Sequence, residues 1–118
     1  MNTIMKIVRS ITIGATGLSH AVTLDRSFQL EIVLGLPIYV VLGYVLAPLL
    51  PIEWLIFIGS FFLILIVELL NTSMEKMLDR LHPEKHDLIK KSKDIASAAV
   101  LLSFLFAGIV VMVLCLAK

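Results

Sequence analysis

Apolar residues fall into three long runs, and polar residues are confined before and between them. Residues 32–52 and 95–117 hold no charged side chain. Residues 54–67 are equally free of charge, and beyond Glu68 the apolar positions resume at Leu69, Leu70, Met74, Met77 and Leu78. A helix that crosses a bilayer needs about 20 mostly apolar residues. The first and third runs meet that length directly. The second predicts one helix over 52–80 whose last turns leave the bilayer. The predicted spans are therefore 30–48, 52–80 and 90–117. Ala47-Pro48-Leu49-Leu50-Pro51 separates the first two. Proline disfavours helix at the residue before it, so two prolines three apart predict a tight turn. Trp54 fits the interfacial aromatic belt. Leu81-His82-Pro83-Glu84-Lys85-His86 is the second break. Both connections are short, so neighbouring helices should be antiparallel.

Residues 1–27 follow a different pattern. Ile4, Ile7, Val8, Ile11 and Leu18 recur at roughly helical spacing, while Lys6, Arg9 and Ser10 share another side. This predicts an amphipathic helix lying on the membrane surface. Gly14, Gly17, Ser19 and His20 interrupt the apolar run and no clear cleavage site follows, which argues against a signal peptide.

Composition sharpens the class. Of 118 residues, 59% are hydrophobic and 16% charged, against about 45–50% and about 25% in an average soluble domain. One core of this size could not hold so much apolar side chain, and disordered chains are poor in it. The expected fold is an all-α membrane protein of one domain, 1–118, with a surface helix and three transmembrane helices. A net charge of +1 gives no bulk electrostatic case for nucleic acid. Lys76, Arg80, Lys85, Lys90, Lys91 and Lys93 surround the second connection, whereas the Pro48–Pro51 turn has no basic residue. Lysine and arginine are retained on the cytoplasmic side. That places the 81–93 connection and the N-terminus, with Lys6, Arg9 and Arg26, in the cytoplasm. The single cysteine, Cys115, excludes an intrachain disulfide and a cysteine-cluster metal site.

The candidate chemistry lies on the second span. At 100° per residue, Glu75 and Asp79 fall within about 20° of Glu68 around the helix, and Asn71 about 60° to one side. Three carboxylates and an amide thus form one stripe on an apolar helix. Ionisable groups in a membrane are costly and usually functional. Glu68 and Glu75 stand about 10.5 Å apart along the axis, too far to share one small cation. Glu75 lies nearer the cytoplasm, within reach of a metal–nucleotide complex. Glu68 lies deeper, near where a lipid head-group hydroxyl would sit, and is a candidate general base. Lys93 and Asp94 begin the third span at the depth of Glu75 or Asp79, and a lysine there can bind phosphate as a point charge. Asp25 and Glu31 could join the same cluster; Glu31 reads equally well as a surface charge at a helix junction. No GxxxxGK[ST] loop is present, so any use of ATP proceeds without a soluble-kinase phosphate loop.

Glu68-Leu-Leu-Asn71-Thr-Ser-Met-Glu75-Lys-Met-Leu-Asp79-Arg80 resembles the signature segment of the prokaryotic diacylglycerol kinase family. Glu84-Lys-His86 and Lys93-Asp94-Ile-Ala-Ser97-Ala-Ala-Val continue the likeness without a gap. The resemblance implies a small bacterial inner-membrane homotrimer with active sites between subunits. It implies transfer of the γ-phosphate of Mg-ATP to a lipid hydroxyl, typically diacylglycerol, to give phosphatidic acid. By position it implies Glu68 as catalytic base, Glu75 and Asp25 as ligands of Mg2+, and Asn71, Asp79, Lys93 and Asp94 around the phosphates. Glu84, Lys85 and His86 align with a nucleotide-contacting tripeptide, and Ser97 with a position near the lipid. This chain departs from the family at Asp25, one methylene shorter than glutamate. Ile13 stands where an aromatic residue is usual, Ala15 and Val22 stand in place of tryptophans, and Lys85 is not the usual middle residue of the tripeptide. Related proteins phosphorylate undecaprenol instead, and Phe28 to Glu31 retains the Phe-x-x-Glu pattern of the diacylglycerol type. A small multidrug or proton-coupled transporter would instead carry four spans and one essential acid. A non-catalytic assembly subunit would show no magnesium-dependent ATP consumption.

Overall fold

The computed structural model describes residues 2–81 and 86–118, which form four helices. They are α1 (Thr3–Leu24), α2 (Arg26–Leu46), α3 (Pro51–Leu81) and α4 (Asp87–Leu116). No strand occurs among the described residues. α2, α3 and α4 are each long and apolar enough to cross a membrane.

Local chemistry explains the helix ends. Asn2 caps α1 by accepting a hydrogen bond from the Met5 amide at 2.8 Å, as short polar side chains do at helix starts. A single extended residue, Asp25, separates α1 from α2. Gln29 bridges that joint, its Nε2 donating to the Val22 carbonyl at 2.8 Å. This satisfies one of the carbonyls that a helix end leaves open. At the start of α3, Glu53 accepts from the Leu50 amide at 2.8 Å, the returning half of a capping box. His86 caps α4, its Nδ1 accepting from the Leu88 amide at 3.1 Å.

The helices pack antiparallel, and the two ends of the bundle differ. α3 and α4 form the main pair, and α2 lies against α3 over a smaller area. At the Pro48–Pro51 end, Leu46, Phe57, Val110 and Leu114 make a buried apolar cluster, with Tyr39, Leu42, Leu49 and Val111 against it. Among the described residues, one side-chain hydrogen bond between helices lies in this half. Ser60, fully buried, donates to the Phe57 carbonyl at 2.6 Å, so the Tyr39 hydroxyl 2.8 Å away is left to donate to Ser60. Gly35 permits close contact between α2 and α3: a Cβ there would stand 2.9 Å from Phe61 Cε1. At the other end polar contacts join the helices beside the buried Phe28. α1 buries only Ala21 and packs chiefly against α2. Ile4, Ile7, Val8 and Ile11 on it are exposed.

Candidate active site

Packing decides where Glu68 points. The buried residues of α3 are Phe57, Ser60, Ile64 and Glu68, a 3-4-4 spacing that marks one face of a helix. Burial of the apolar part of that row against α2 and α4 carries Glu68 inward, leaving it 4% exposed. Farther along the same side, Asn71, Thr72 and Glu75 are half-buried and Asp79 is exposed. The polar stripe thus runs from the interior of the bundle to its surface.

α2 meets this stripe at two levels. Asp25 begins α2 but makes no side-chain cap to it. Its carboxylate accepts the Thr72 hydroxyl instead, at 2.7 Å. An N-cap aspartate normally satisfies the first amides of its own helix, so here the group is available to the neighbouring helix. Six residues on, Glu31 is half-buried and lies close enough to Glu68 for the two carboxyls to interact electrostatically. Thr72 also lies within reach of Glu68. Asp25 and Glu75 both add negative potential at Glu68. On α3 itself, Asn71 Nδ2 donates to Glu75 at 3.3 Å. The Asn71 Oδ1 and Glu31 Oε2 atoms are buried without a partner.

α4 closes the outer end. Lys93 pairs with Asp79 across the two helices, so the first turns of α4 and the last turns of α3 share one level. Lys90 pairs with Asp94 at 2.8 Å along α4. Ser97 is exposed. Glu84 and Lys85 lie outside the described residues; His86, the third member of that tripeptide, starts α4. Asp25, Glu68, Asn71 and Glu75 are therefore gathered with Glu31 and Thr72, while Asp79 and Lys93 form a second pair toward the exposed end.

Two cavities flank the stripe. One of about 420 Å³ lies between α1 and α3, where His20, Asp25, Thr72, Ser73 and Lys76 supply its polar wall. The other, of about 530 Å³, is apolar and runs among α2, α3 and α4, with Glu31 in its wall beside Gly35, Tyr39, Phe61 and Phe104.

The donors suit a hard cation. Among the described residues, no three His, Cys, Asp or Glu side chains converge to hold a metal by themselves. Magnesium does not need such a cage, because it is commonly held by one or two carboxylates with substrate phosphates and water. Asp25 Oδ2 and Glu75 Oε1 are each engaged by one neutral donor, and each carboxylate retains further acceptor capacity.

Two residues of this network carry little signal in the sequence. Glu31 is ambiguous at a helix junction until α2 is set against α3. Thr72 is an unremarkable hydroxyl; only its place four residues after Glu68 puts it on the same face.

Residues 12–115 match the family model described as prokaryotic diacylglycerol kinase. A diacylglycerol kinase of Helicobacter pylori is 35% identical over 101 residues, covering 86% of this chain and 77% of that protein. Diacylglycerol kinases of Haemophilus influenzae and Escherichia coli are each 32% identical over 107 residues. Those alignments cover 88% of this chain, and 86% and 84% of the two relatives respectively.

Proposed function

This chain belongs to the prokaryotic diacylglycerol kinase family, and from that premise we propose that it transfers the γ-phosphate of ATP to the hydroxyl of diacylglycerol, giving phosphatidic acid and ADP. The observation that carries this reading is the inward turn of Glu68 at the deep end of a stripe that reaches the exposed Asp79–Lys93 pair. That arrangement offers a proton acceptor at lipid depth and charged groups at nucleotide depth.

Phosphoryl transfer depends on positioning and charge neutralisation more than on covalent chemistry. Glu68 accepts the proton of the lipid hydroxyl as its oxygen attacks the γ-phosphorus. The bond from that phosphorus to the β–γ bridging oxygen breaks, and ADP leaves. Glu75 and Asp25 would hold Mg2+, which when bound neutralises phosphate charge. Asn71 orients Glu75 through their hydrogen bond. Lys93, released from Asp79, offsets charge on the transferring group, and Asp94 supports it from the next position. The Glu84–Lys85–His86 tripeptide is assigned to the nucleotide by the family resemblance, and Ser97 to the lipid. The apolar cavity beside Glu31 supports this reading, since it offers a place for hydrocarbon near the base.

We extend the proposal to the assembly. The chain forms a homotrimer in the bacterial inner membrane, with sites completed between subunits. α1 lies along the cytoplasmic surface, apolar side down, and 81–93 is cytoplasmic. The domain is single, 1–118.

The test is transfer of label from [γ-32P]ATP by the purified protein in lipid–detergent micelles, with diacylglycerol and undecaprenol as separate acceptors. Magnesium-dependent labelling of diacylglycerol at the higher kcat/KM is expected. A higher kcat/KM on undecaprenol would overturn the acceptor assignment, and no transfer to either would overturn the kinase reading.

A further inference from the structure

Asp25 is the joint between α1 and α2, and its backbone is fixed on both sides. Its amide donates to the Ala21 carbonyl at 3.0 Å, and its carbonyl accepts from the Gln29 amide at 3.0 Å. What remains to be set is the side chain. An aspartate in this position ordinarily folds back onto the first amides of the helix that it starts. Here it makes no such bond. It crosses to α3, where the Thr72 hydroxyl donates to its Oδ2 at 2.7 Å. Thr72 has one hydroxyl proton. Giving it to Asp25 leaves none for the carbonyl one turn back, the usual acceptor of a helical threonine. Both partners thus forgo a local hydrogen bond for one between helices.

The neighbours of Thr72 give this contact its meaning. Asn71, the preceding residue, donates to Glu75 Oε1 at 3.3 Å. Consecutive positions of α3 therefore supply one neutral donor to each of the two acids proposed as magnesium ligands. Glu75 belongs to the same helix and Asp25 to the next. Thr72 and Glu75 are three apart, a spacing that makes neighbours on a helix surface, so the bond to Thr72 brings Asp25 to the level of Glu75. A neutral hydroxyl engages one oxygen and leaves the carboxylate its charge and further acceptor capacity. Ligating carboxylates are ordinarily held in this way, by hydrogen bonds from residues that do not themselves bind the metal. Asp25 and Thr72 both lie in the wall of the cavity between α1 and α3, so the carboxylate is held where a solute can reach it.

We propose that Thr72 is the positioning residue for Asp25: its hydroxyl draws the carboxylate away from the start of α2 and holds it at the level of Glu75, for a divalent cation that arrives with nucleotide phosphates. This inference rests on the reading of Asp25 as a magnesium ligand. Thr72 acts through Asp25 and does not itself touch the metal.

The test uses the full-length protein in detergent micelles and the β,γ-methylene analogue of ATP, which binds without phosphoryl transfer. Calorimetry gives the Kd of the analogue with Mg2+ and with EDTA, and the ratio of the two is the gain due to the metal. Thr72→Val keeps the shape and removes the donor. It is expected to reduce that gain by about 10-fold or more, as loss of a residue supporting a metal ligand does, with the Kd in EDTA within about twofold of the parent. Thr72→Ser keeps the hydroxyl and should hold the gain within about threefold of the parent. Asp25→Asn should lose at least as much as Thr72→Val. The Thr72→Val/Asp25→Asn double variant should lose no more than Asp25→Asn alone, the non-additivity expected of residues acting as one unit. A gain retained in Thr72→Val but lost in Asp25→Asn would overturn the inference and leave Asp25 as a ligand. So would an equal loss of affinity in EDTA, a Thr72→Ser variant as weak as Thr72→Val, or additive losses in the double variant. A parental gain in Asp25→Asn, or no gain in the parent protein, would overturn the reading of Asp25 and the inference with it. If Thr72→Val does not fold, Thr72→Ala is held to the same limits; failure of both to fold would mark Thr72 as structural and overturn the proposal.

Discussion

At the scale of single residues, the site depends on which atoms are already engaged. Glu68→Gln preserves volume but cannot accept a proton. Its kcat should fall by about 100- to 10,000-fold, with Mg-ATP still protecting the protein from proteolysis; parental lipid phosphorylation in this variant would refute the base assignment. Thr72→Val removes the hydrogen bond to Asp25. A hydrogen bond to a charged group contributes about 1.5–3 kcal/mol, so kcat/KM for Mg-ATP should fall by about 10-fold or more, with Thr72→Ser close to the parent. A magnesium titration of each variant checks this. The acids of α3 were legible in the sequence, because charged groups stand out in an apolar helix and helical spacing aligns them. Thr72 was not, because a hydroxyl in a membrane helix most often bonds its own backbone. Thr12, Thr16 and Thr23 all do so on α1. What sets Thr72 apart is a partner 47 residues away, and no local pattern reports that.

At the scale of elements, hydrophobic runs and prolines marked the helices, but how closely α2 approaches α3 depends on side chains that look ordinary in sequence. Gly35 could be an incidental glycine in a span. In the structure it faces Phe61, whose ring packs on Tyr39 at a 4.8 Å centroid distance. Gly35→Ala should destabilise the fold by about 1–2 kcal/mol, the cost of overpacking less the helix propensity gained; unfolding in mixed micelles measures it. Tyr39→Phe leaves the buried Ser60 without its donor. A loss of about 0.5–1.5 kcal/mol is expected, in line with hydrogen bonds between membrane helices, and Ser60→Ala should add little to it in the double variant. The ends of the helices were likewise only partly legible. α4 starts at Asp87 because His86 caps it, a feature that apolar runs do not reveal.

At the scale of the whole molecule, the two ends of the bundle do different work. The Leu46–Leu114 cluster holds the helices together at one end, and polar contacts join them at the other, beside the buried Phe28. Segregation of this kind was foreshadowed by the basic residues around the second connection. In a Cys115→Ser background, a cysteine at Ser92, which is exposed, should resist a membrane-impermeant thiol reagent in intact cells and react after permeabilisation. One at Lys118 should react at once. The reverse pattern would invert the orientation. Removing divalent cations with EDTA should abolish phosphoryl transfer, and added Mg2+ should restore it. The proposed trimer has no counterpart in the sequence pattern, since lipid and a second subunit make the same demand on an apolar face.

The one-residue joint at Asp25 has a mechanical corollary. It is where α1 and α2 change direction, and its side chain holds α3 through Thr72. Any tilt of α1 turns the peptide that carries this carboxylate. If α1 rests on the lipid surface as proposed, crowding or stretching of that surface would therefore reach a prospective magnesium ligand directly, and turnover should respond to bilayer tension and head-group packing even when the substrate concentration is held constant.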